Sequence, residues 1–218
     1  MSLSGQGTVV SADVGANKTV TSVNLALTGA NAGNYTLNSY TTSFEILPKV
    51  INLTGTKVYD GLNTVPNASL TVTTGVSGQS LDLKGAGTLI SASSGNGKTI
   101  SIGTLELDSI GSGSESNYTL SAGNHTFNVT ARPLTFSSSR NYDGTTTANT
   151  SGLTYTFSNL VSGESLVLNG SGTVASKDVS GGTQNITLGT ITLADNTGVA
   201  SNYSLTSCLL YTSPSPRD

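Results

Sequence analysis

The first shortage in this sequence is of charge. Charged residues make up 10% of the 218-residue chain, well below the roughly 25% that is usual for soluble domains. The nine Lys and Arg residues are spread singly and the formal net charge is −3, so the chain lacks the basic stripe of a nucleic-acid-binding protein. No apolar run approaches the roughly 18 residues that a membrane-spanning helix needs. We therefore expect neither nucleic acid as a partner nor a transmembrane segment.

Residues suited to catalysis or cofactor binding are also scarce. The sequence has one histidine, His125, and one cysteine, Cys208. A Ser-His-Asp triad would need an acid to orient His125, and nothing in the local sequence supports one. One cysteine and one histidine do not make a thiolate metal site. The carboxylates are too scattered to nominate a glycosidase pair. We expect no enzymatic activity and no cofactor, and we interpret His125 as part of a strand.

The end of the chain, Cys208 to Asp218, reads CLLYTSPSPRD and breaks with the composition before it. It contains the only cysteine and two of the five prolines. The same residues result from an in-frame translation of a transposase-type sequencing adapter. We therefore expect Cys208 to Asp218 to be non-native, and the natural chain to continue past Ser207.

Thr, Val, Ile and Tyr, which favour pleated and half-buried strands, are abundant. Good helix formers are sparse, and no stretch places apolar residues at the i, i+3, i+4, i+7 spacing of an amphipathic helix. Apolar and polar residues instead alternate in short runs, for example through Leu81 and Leu83 before the glycines at positions 85 and 87. These patterns predict an all-β protein, with a kink at the two glycines.

The chain repeats itself about every 83 residues. Asn-Tyr pairs place tyrosines at positions 35, 118 and 203, which are 83 and 85 residues apart. Gly-x-Gly-Thr motifs and Val-Ser-Gly-Gln/Glu motifs keep a similar step. A unit of this length exceeds the roughly 20–50 residues of a solenoid coil and suits a small β-sandwich. We predict the C-terminal part of a first copy at 1–48, a complete copy at 49–133 and a truncated third copy at 134–207.

Within the complete copy, six or seven short alternating runs are separated by Gly/Ser/Asn turn clusters. Turns every roughly 8–12 residues between such runs are typical of immunoglobulin-like sandwiches. The predicted fold is therefore a tandem array of immunoglobulin-like β-sandwich repeats. Copies joined near Pro48 and Pro133 have almost no linker, which favours a stiff rod.

The repeated tyrosines are predicted to be structural. Each Asn-Tyr pair follows a polar loop and opens a short strand. A tyrosine in that place can bury its ring while its hydroxyl bonds backbone across a strand corner, as in the tyrosine corner of immunoglobulin-like domains. We expect this role for Tyr35, Tyr118 and Tyr203, with contact at the protein surface as the alternative.

A Tyr-Asp-Gly motif occurs twice, 83 residues apart, and comprises Tyr59, Asp60, Gly61, Tyr142, Asp143 and Gly144. Asp-Gly supplies a positive φ and a side-chain acceptor for a tight turn. The alternative is a Ca²⁺ site, which needs roughly six to eight oxygen ligands. Because no further acidic cluster accompanies either aspartate, we predict turns and no metal.

Together, the Tyr-Asp-Gly motif, the Gly-x-Gly-Thr step and the Asn-Tyr pair before an Ile/Val-rich strand ending in Pro resemble YDG-type repeat domains. Such domains occur in tandem in large bacterial surface and secreted adhesins, including filamentous-haemagglutinin-like proteins of two-partner secretion. The resemblance covers nearly all of residues 1–207, although the first copy lacks its Tyr-Asp-Gly half. It implies an extracellular segment associated with the bacterial surface, and it implies no catalytic residues.

Two functions remain open at this point. The first is a spacer, in which tandem domains project a distant binding region. The second is a module that itself binds host or matrix glycans or proteins through Thr, Asn and Tyr side chains. Lectin sites usually show clustered aromatics, whereas aromatic residues are 6% of this chain, which favours the spacer. Frequent Asn-x-Ser/Thr sequons leave glycosylation open as well.

Overall fold

The computed structural model describes residues 1–22, 24–37, 42–178 and 183–213. Strands account for 48% of the chain, and the helices in the described ranges are 3-10 turns of three residues each. The prediction of an all-β protein is confirmed. Within the same ranges, no helix has the length and apolar character that crossing a membrane requires.

The strands and 3-10 turns follow the order of the sequence copies. The first copy contains β1 (Ser2–Ser4), β2 (Gly7–Val9), β3 (Gly15–Ser22), β4 (Ala26–Thr28), a 3-10 turn (Ala32–Asn34) and β5 (Thr42–Ile46). The second contains β6 (Lys49–Val50), β7 (Thr54–Val58), β8 (Thr64–Pro66), a 3-10 turn (Asn67–Ser69), β9 (Leu70–Thr71), β10 (Asp82–Lys84), β11 (Ala86–Leu89), β12 (Gly95–Ser101), β13 (Glu106–Asp108), a 3-10 turn (Glu115–Asn117), β14 (Tyr118–Thr119) and β15 (Thr126–Thr130). With the third copy we count β16, although it starts before residue 134, and β23, although it ends after residue 207. These elements are β16 (Arg132–Asn141), β17 (Thr147–Asn149), a 3-10 turn (Thr150–Gly152), β18 (Thr154–Ser158), β19 (Leu166–Asn169), β20 (Ser171–Thr173), β21 (Thr183–Asn185), β22 (Thr192–Asp195), a 3-10 turn (Ala200–Asn202) and β23 (Tyr203–Ser213).

Strand pairing recurs from copy to copy. Antiparallel ladders join β1 with β4, β10 with β13, and β19 with β22. A second antiparallel set joins β3 with β5, β12 with β15, and β21 with β23. The strand that opens at the Asn-Tyr tyrosine pairs in parallel with the first strand of the same copy, where Tyr118 lies opposite Lys49 and Tyr203 opposite Arg132. Equivalent sequence positions therefore occupy equivalent places in the ladders.

The chain forms two compact units that are divided differently from the sequence copies. The first unit comprises Met1–Thr54, Leu70–Ala86 and Ile102–His125, and the second comprises Gly55–Ser69, Gly87–Ser101 and Thr126–Asp218. Residues of the second copy contribute to both units. The boundaries at 48/49 and 133/134, and a separate sandwich for each copy, stay predictions.

The core of the first unit includes the only histidine. Ile51 and Leu53 are fully buried, and His125 is buried beside them. The Nδ1 atom of His125 accepts a hydrogen bond from the Leu53 N–H at 3.1 Å, and its Nε2–H donates to the Leu120 carbonyl at 2.8 Å. The imidazole thus satisfies two buried backbone groups, as a structural histidine does.

The core of the second unit is a cluster of apolar side chains from the third copy. Its members are Phe136, Ala148, Leu153, Leu168, Val174, Ile186, Ile191, Cys208 and Leu210. Tyr155 and Phe157 contact Phe136 edge-to-face. Burial raises the pKa of the Cys208 thiol to about 11, which leaves it protonated and unreactive at neutral pH.

The structure carries residues 208–213 as the end of β23, with Cys208 and Leu210 facing the core. The expectation that Cys208 to Asp218 are non-native concerns the origin of the sequence, and it stays a prediction. Residues 214–218 lie outside the described part of the chain.

The first glycine of each Gly-x-Gly-Thr motif separates two strands at a sharp bend. Its φ is +105°, +81° and +95° in the three copies. A Cβ atom there would lie 1.9, 2.0 and 2.2 Å from a backbone carbonyl oxygen, at Gly5, Gly85 and Gly170 respectively. Both the left-handed conformation and the close backbone approach require glycine, which explains why the predicted kink recurs at this position.

We expect Gly170→Ala to lower the free energy of unfolding by at least about 3 kcal/mol, because left-handed strain adds to overlap with the Thr190 carbonyl. Gly163→Ala is the matched control, since Gly163 has a φ of +85° but open space around a Cβ. Gly163→Ala should lower the free energy of unfolding by only about 1–2 kcal/mol. Urea unfolding of the two variants measures the difference. Equal costs would show that the carbonyl contact does not constrain the chain.

Candidate functional site: the joints between copies

In the second unit, the second and third copies meet around Tyr59, Glu164 and Tyr203, and we call this contact region the joint. The side chain of Tyr203 is 5% exposed. Its hydroxyl accepts a hydrogen bond from the Val161 N–H at 3.1 Å and donates one to Oε2 of Glu164 at 2.6 Å. Burial and the bond to Glu164 raise the pKa of Tyr203. The Tyr203 hydroxyl therefore bonds backbone as expected, but the bond reaches 42 residues upstream, whereas a tyrosine corner bonds backbone only a few residues upstream.

Tyr59, from the Tyr-Asp-Gly motif of the second copy, binds the same carboxylate. Its hydroxyl donates to Oε1 of Glu164 at 2.5 Å, and its ring contacts that of Tyr203 edge-to-face with centroids 5.5 Å apart. Burial, together with the neighbouring carboxylate, raises the pKa of Tyr59 to about 12. One carboxylate therefore holds two neutral phenols from two copies, and hydrogen bonds to a charged acceptor are about twice as strong as neutral ones.

The asparagine of the Asn-Tyr pair fastens a hairpin loop of the preceding copy. Asn202 is 2% exposed, and its Oδ1 accepts a hydrogen bond from the Ser94 N–H at 2.8 Å. The Ser94 hydroxyl donates to the Ser201 carbonyl at 2.7 Å. The two residues of the repeated pair thus have separate partners. Asn202 binds the preceding copy, and Tyr203 binds the Val-Ser-Gly-Glu loop of its own copy.

The first unit contains the same joint. Oδ1 of Asn117 accepts from the Val14 N–H at 2.8 Å, and its Nδ2 donates to Oδ1 of Asp13 at 2.9 Å. Tyr118 is 7% exposed and donates its hydroxyl hydrogen to Oε1 of Gln79. Asn117 occupies the repeat position of Asn202, and Gln79 that of Glu164. Equivalent positions therefore make equivalent contacts in both units.

The first Tyr-Asp-Gly motif forms a tight turn. Gly61 has a φ of +78°, and Oδ1 of Asp60 accepts from the Leu62 N–H at 2.9 Å. Nζ of Lys57 binds Asp60 at 2.9 Å and two backbone carbonyls at 2.8 Å. Burial acts to raise the pKa of Asp60, but the bonds from Lys57 and Leu62 outweigh it and hold that pKa below its usual value.

The second Tyr-Asp-Gly motif is built alike. Gly144 has a φ of +75°, and Asp143 accepts from the Thr145 N–H at 2.9 Å, which lowers the pKa of Asp143. Arg140 takes the place of Lys57 and binds Asp143 at 3.1 Å. Both aspartates thus serve as turn acceptors paired with a cation. Across the described ranges, no group of three or more His, Cys, Asp or Glu side chains is arranged to hold a metal ion.

Tyr35 differs from the other two repeated tyrosines. Its side chain is 59% exposed, so the expectation of a buried ring is wrong at this position. Met1 aligns with Leu81 of the second copy, and the described residues therefore include no counterpart of Lys49 or Gln79 for Tyr35 to pack against.

Sequence reasoning overlooked the partners of the predicted residues. The carboxamide and carboxylate that bind the tyrosines lie within the repeated Val-Ser-Gly-Gln/Glu motif, and the basic residues precede each Tyr-Asp-Gly motif by two positions. The overlooked residues are Gln79, Glu164, Asn117, Asn202, Lys57 and Arg140. Each recurs at the repeat step in a polar residue type, and that recurrence is the signal that could have found them.

A protein-family model described as YDG domain matches the chain over residues 1–43, 47–126 and 128–209. The three matches together cover nearly the whole sequence. Neither a curated protein nor a solved structure matches the chain at a significant level.

We expect Tyr118→Ala to lower the free energy of unfolding by about 3–5 kcal/mol, because the ring is buried and its loss leaves a cavity. Tyr35→Ala is the control, since the same residue of the repeat is exposed there and should cost under about 1 kcal/mol. Denaturant unfolding followed by circular dichroism gives both values. A small cost at Tyr118 would show that the ring is not part of the core.

A double-mutant cycle tests the shared carboxylate. Tyr59→Phe and Glu164→Leu should each destabilise the chain, with a coupling free energy of about 1–2 kcal/mol because they remove the same hydrogen bond. As a control, Tyr59→Phe and Gln79→Leu share no partner and should be additive within about 0.5 kcal/mol. Additivity of the first pair would mean that the two groups do not interact in solution.

Proposed function

We propose that this chain, which belongs to the YDG domain family, is a structural spacer within an extracellular bacterial adhesin, where it projects a binding region from the cell surface. We also propose that each copy adopts an immunoglobulin-like sandwich within a tandem array. The adhesin, its secretion by a two-partner system and its location at the outer membrane belong to this proposal.

The recurrence of the joint is the observation that carries the proposal. Asn117 with Val14, and Asn202 with Ser94, are the same contact made at the same repeat positions. The residues that join one copy to the next are therefore supplied by the repeat itself. A chain built in this way can be lengthened by adding copies without new contact chemistry, which is the property that a spacer needs.

The surface of the chain also favours a spacer over a binding module. Shallow depressions of about 490 and 460 Å³ lie at equivalent places in the second and third copies, with Tyr118 and Tyr203 in their walls. The first carries Lys84, Glu106 and Glu115 at its rim, whereas the lining of the second has no charged side chain. Because the two linings share no set of charged side chains, they do not indicate recognition of one ligand by every copy.

Binding to ligand arrays tests the proposal. The full chain, labelled and applied to glycan and extracellular-matrix protein arrays beside a lectin control, should give signal near background. Specific, saturable binding that Tyr35→Ala or Tyr142→Ala abolishes would establish the alternative function, because these tyrosines are exposed in the described structure.

A second measurement tests the spacer directly. Chains with one or two added copies, anchored at the N-terminus, should place a C-terminal label farther from the surface by a constant increment per copy. Neutron reflectometry measures that distance. A label height that does not grow with copy number would contradict a spacer role even if no ligand is found.

A further inference from the structure

The two Tyr-Asp-Gly turns differ in what covers them. Tyr59 is 5% exposed, whereas Tyr142 is 45% exposed. A Cβ atom on Gly61 would lie 2.9 Å from Cγ1 of Val161, while one on Gly144 would meet nothing within 4 Å. The first turn is thus covered by the third copy, and the second turn is open.

The difference does not arise from the turns themselves. Both have an aspartate that accepts the backbone N–H two residues later, at 2.9 Å in each case. Both have a cation three residues before that aspartate, paired with it at 2.9 Å for Lys57 and 3.1 Å for Arg140. Since the construction is equal, the exposure of Tyr142 reflects the lack of a cover among the described residues rather than a different local fold.

We propose that the face formed by Tyr142, Asp143 and Gly144 is the docking surface for one further YDG copy. That copy would cover Gly144 with the valine of its Val-Ser-Gly-Gln/Glu loop. Its Gln or Glu side chain would accept the Tyr142 hydroxyl hydrogen, and its Asn-Tyr tyrosine would pack edge-to-face on the Tyr142 ring. Each of these contacts has a counterpart at the first turn, where Gly61 lies against Val161 and Tyr59 contacts Glu164 and Tyr203.

The described part of the hairpin loop in the third copy is built like that of the first copy. The Asp178 N–H donates to the Ser176 hydroxyl at 3.1 Å, as the Asp13 N–H donates to the Ser11 hydroxyl at 3.1 Å in the first copy. The next residue in the first copy, Val14, is the one that the following copy's asparagine binds. Its counterpart in the third copy, Val179, lies outside the described residues, and the proposed surface does not include it.

This proposal rests on the tandem array proposed above, but it does not depend on whether that array acts as a spacer or binds a ligand. The occupant is specified by chemistry that the chain itself contains. An unrelated protein with an apolar patch would bury the Tyr142 ring but would offer no acceptor at the position of Glu164.

The test uses a lengthened chain in which a second copy of residues 131–213 follows Ser213. Ser213 takes the repeat position of Thr130, so that Ala131 and Arg132 of the added copy follow it as they follow Thr130 in the original chain. Nitration of tyrosines, mapped by mass spectrometry, reports exposure of each ring. A docked copy must move away before the Tyr142 ring can react. The rate of Tyr142 nitration should therefore be at least about tenfold lower than in the original chain. Tyr35, which is remote from the added copy in sequence, serves as the internal reference and should react equally in both.

Two further variants make the outcome decisive. Glu164→Ala and Val161→Asp, introduced only in the added copy, should restore the reactivity of Tyr142 to that in the original chain. A second lengthened chain that appends residues 48–133, with Gln79 and Tyr118 as the docking residues, should protect Tyr142 as well. Unchanged nitration of Tyr142 in both lengthened chains would overturn the proposal.

Discussion

A carboxylate that accepts hydrogen bonds from two phenols is the contact on which the joint in the second unit depends. Glu164 binds Tyr59 and Tyr203 at 2.5 and 2.6 Å, through different oxygens. A partly buried carboxylate loses solvation that hydrogen bonds must replace, and here both tyrosines and their edge-to-face rings belong to the same contact. Removing Glu164 takes the acceptor from both hydroxyls, whereas removing either tyrosine leaves the other bonded to Glu164, so the carboxylate is the shared element of the contact.

The fold class and the residues that bend the chain could be predicted from the sequence alone. Period-2 alternation predicts strands because successive side chains face opposite sides of a sheet, and a glycine at the first position of Gly-x-Gly-Thr predicts a kink that the backbone at Gly85 shows. The sequence could not show the partner of Tyr59, because Glu164 lies 105 residues farther along the chain. It also could not show that Tyr35 is exposed, because identical local patterns give Tyr118 and Tyr35 the same expectation while their surroundings differ.

The contacts between copies recur along this chain, as the core positions within each copy do. Asn117 and Asn202 each accept a hydrogen bond from a backbone N–H of the preceding copy at 2.8 Å. The Tyr-Asp-Gly turn belongs to the same system, since its tyrosine in the second copy reaches the third. Motifs that look independent in the sequence are therefore parts of one joint, and their fixed spacing follows from the need to meet across it.

The most direct test of this account is native-state hydrogen exchange at the amide of Ser94, which depends on Asn202 alone for its partner in the joint. We predict that this amide exchanges as slowly as core amides of the second unit and that Asn202→Ala accelerates its exchange to the rate of an open loop. Rapid exchange at Ser94 in the unaltered chain, or exchange that Asn202→Ala leaves unchanged, would contradict the claim that the copies are held by these contacts.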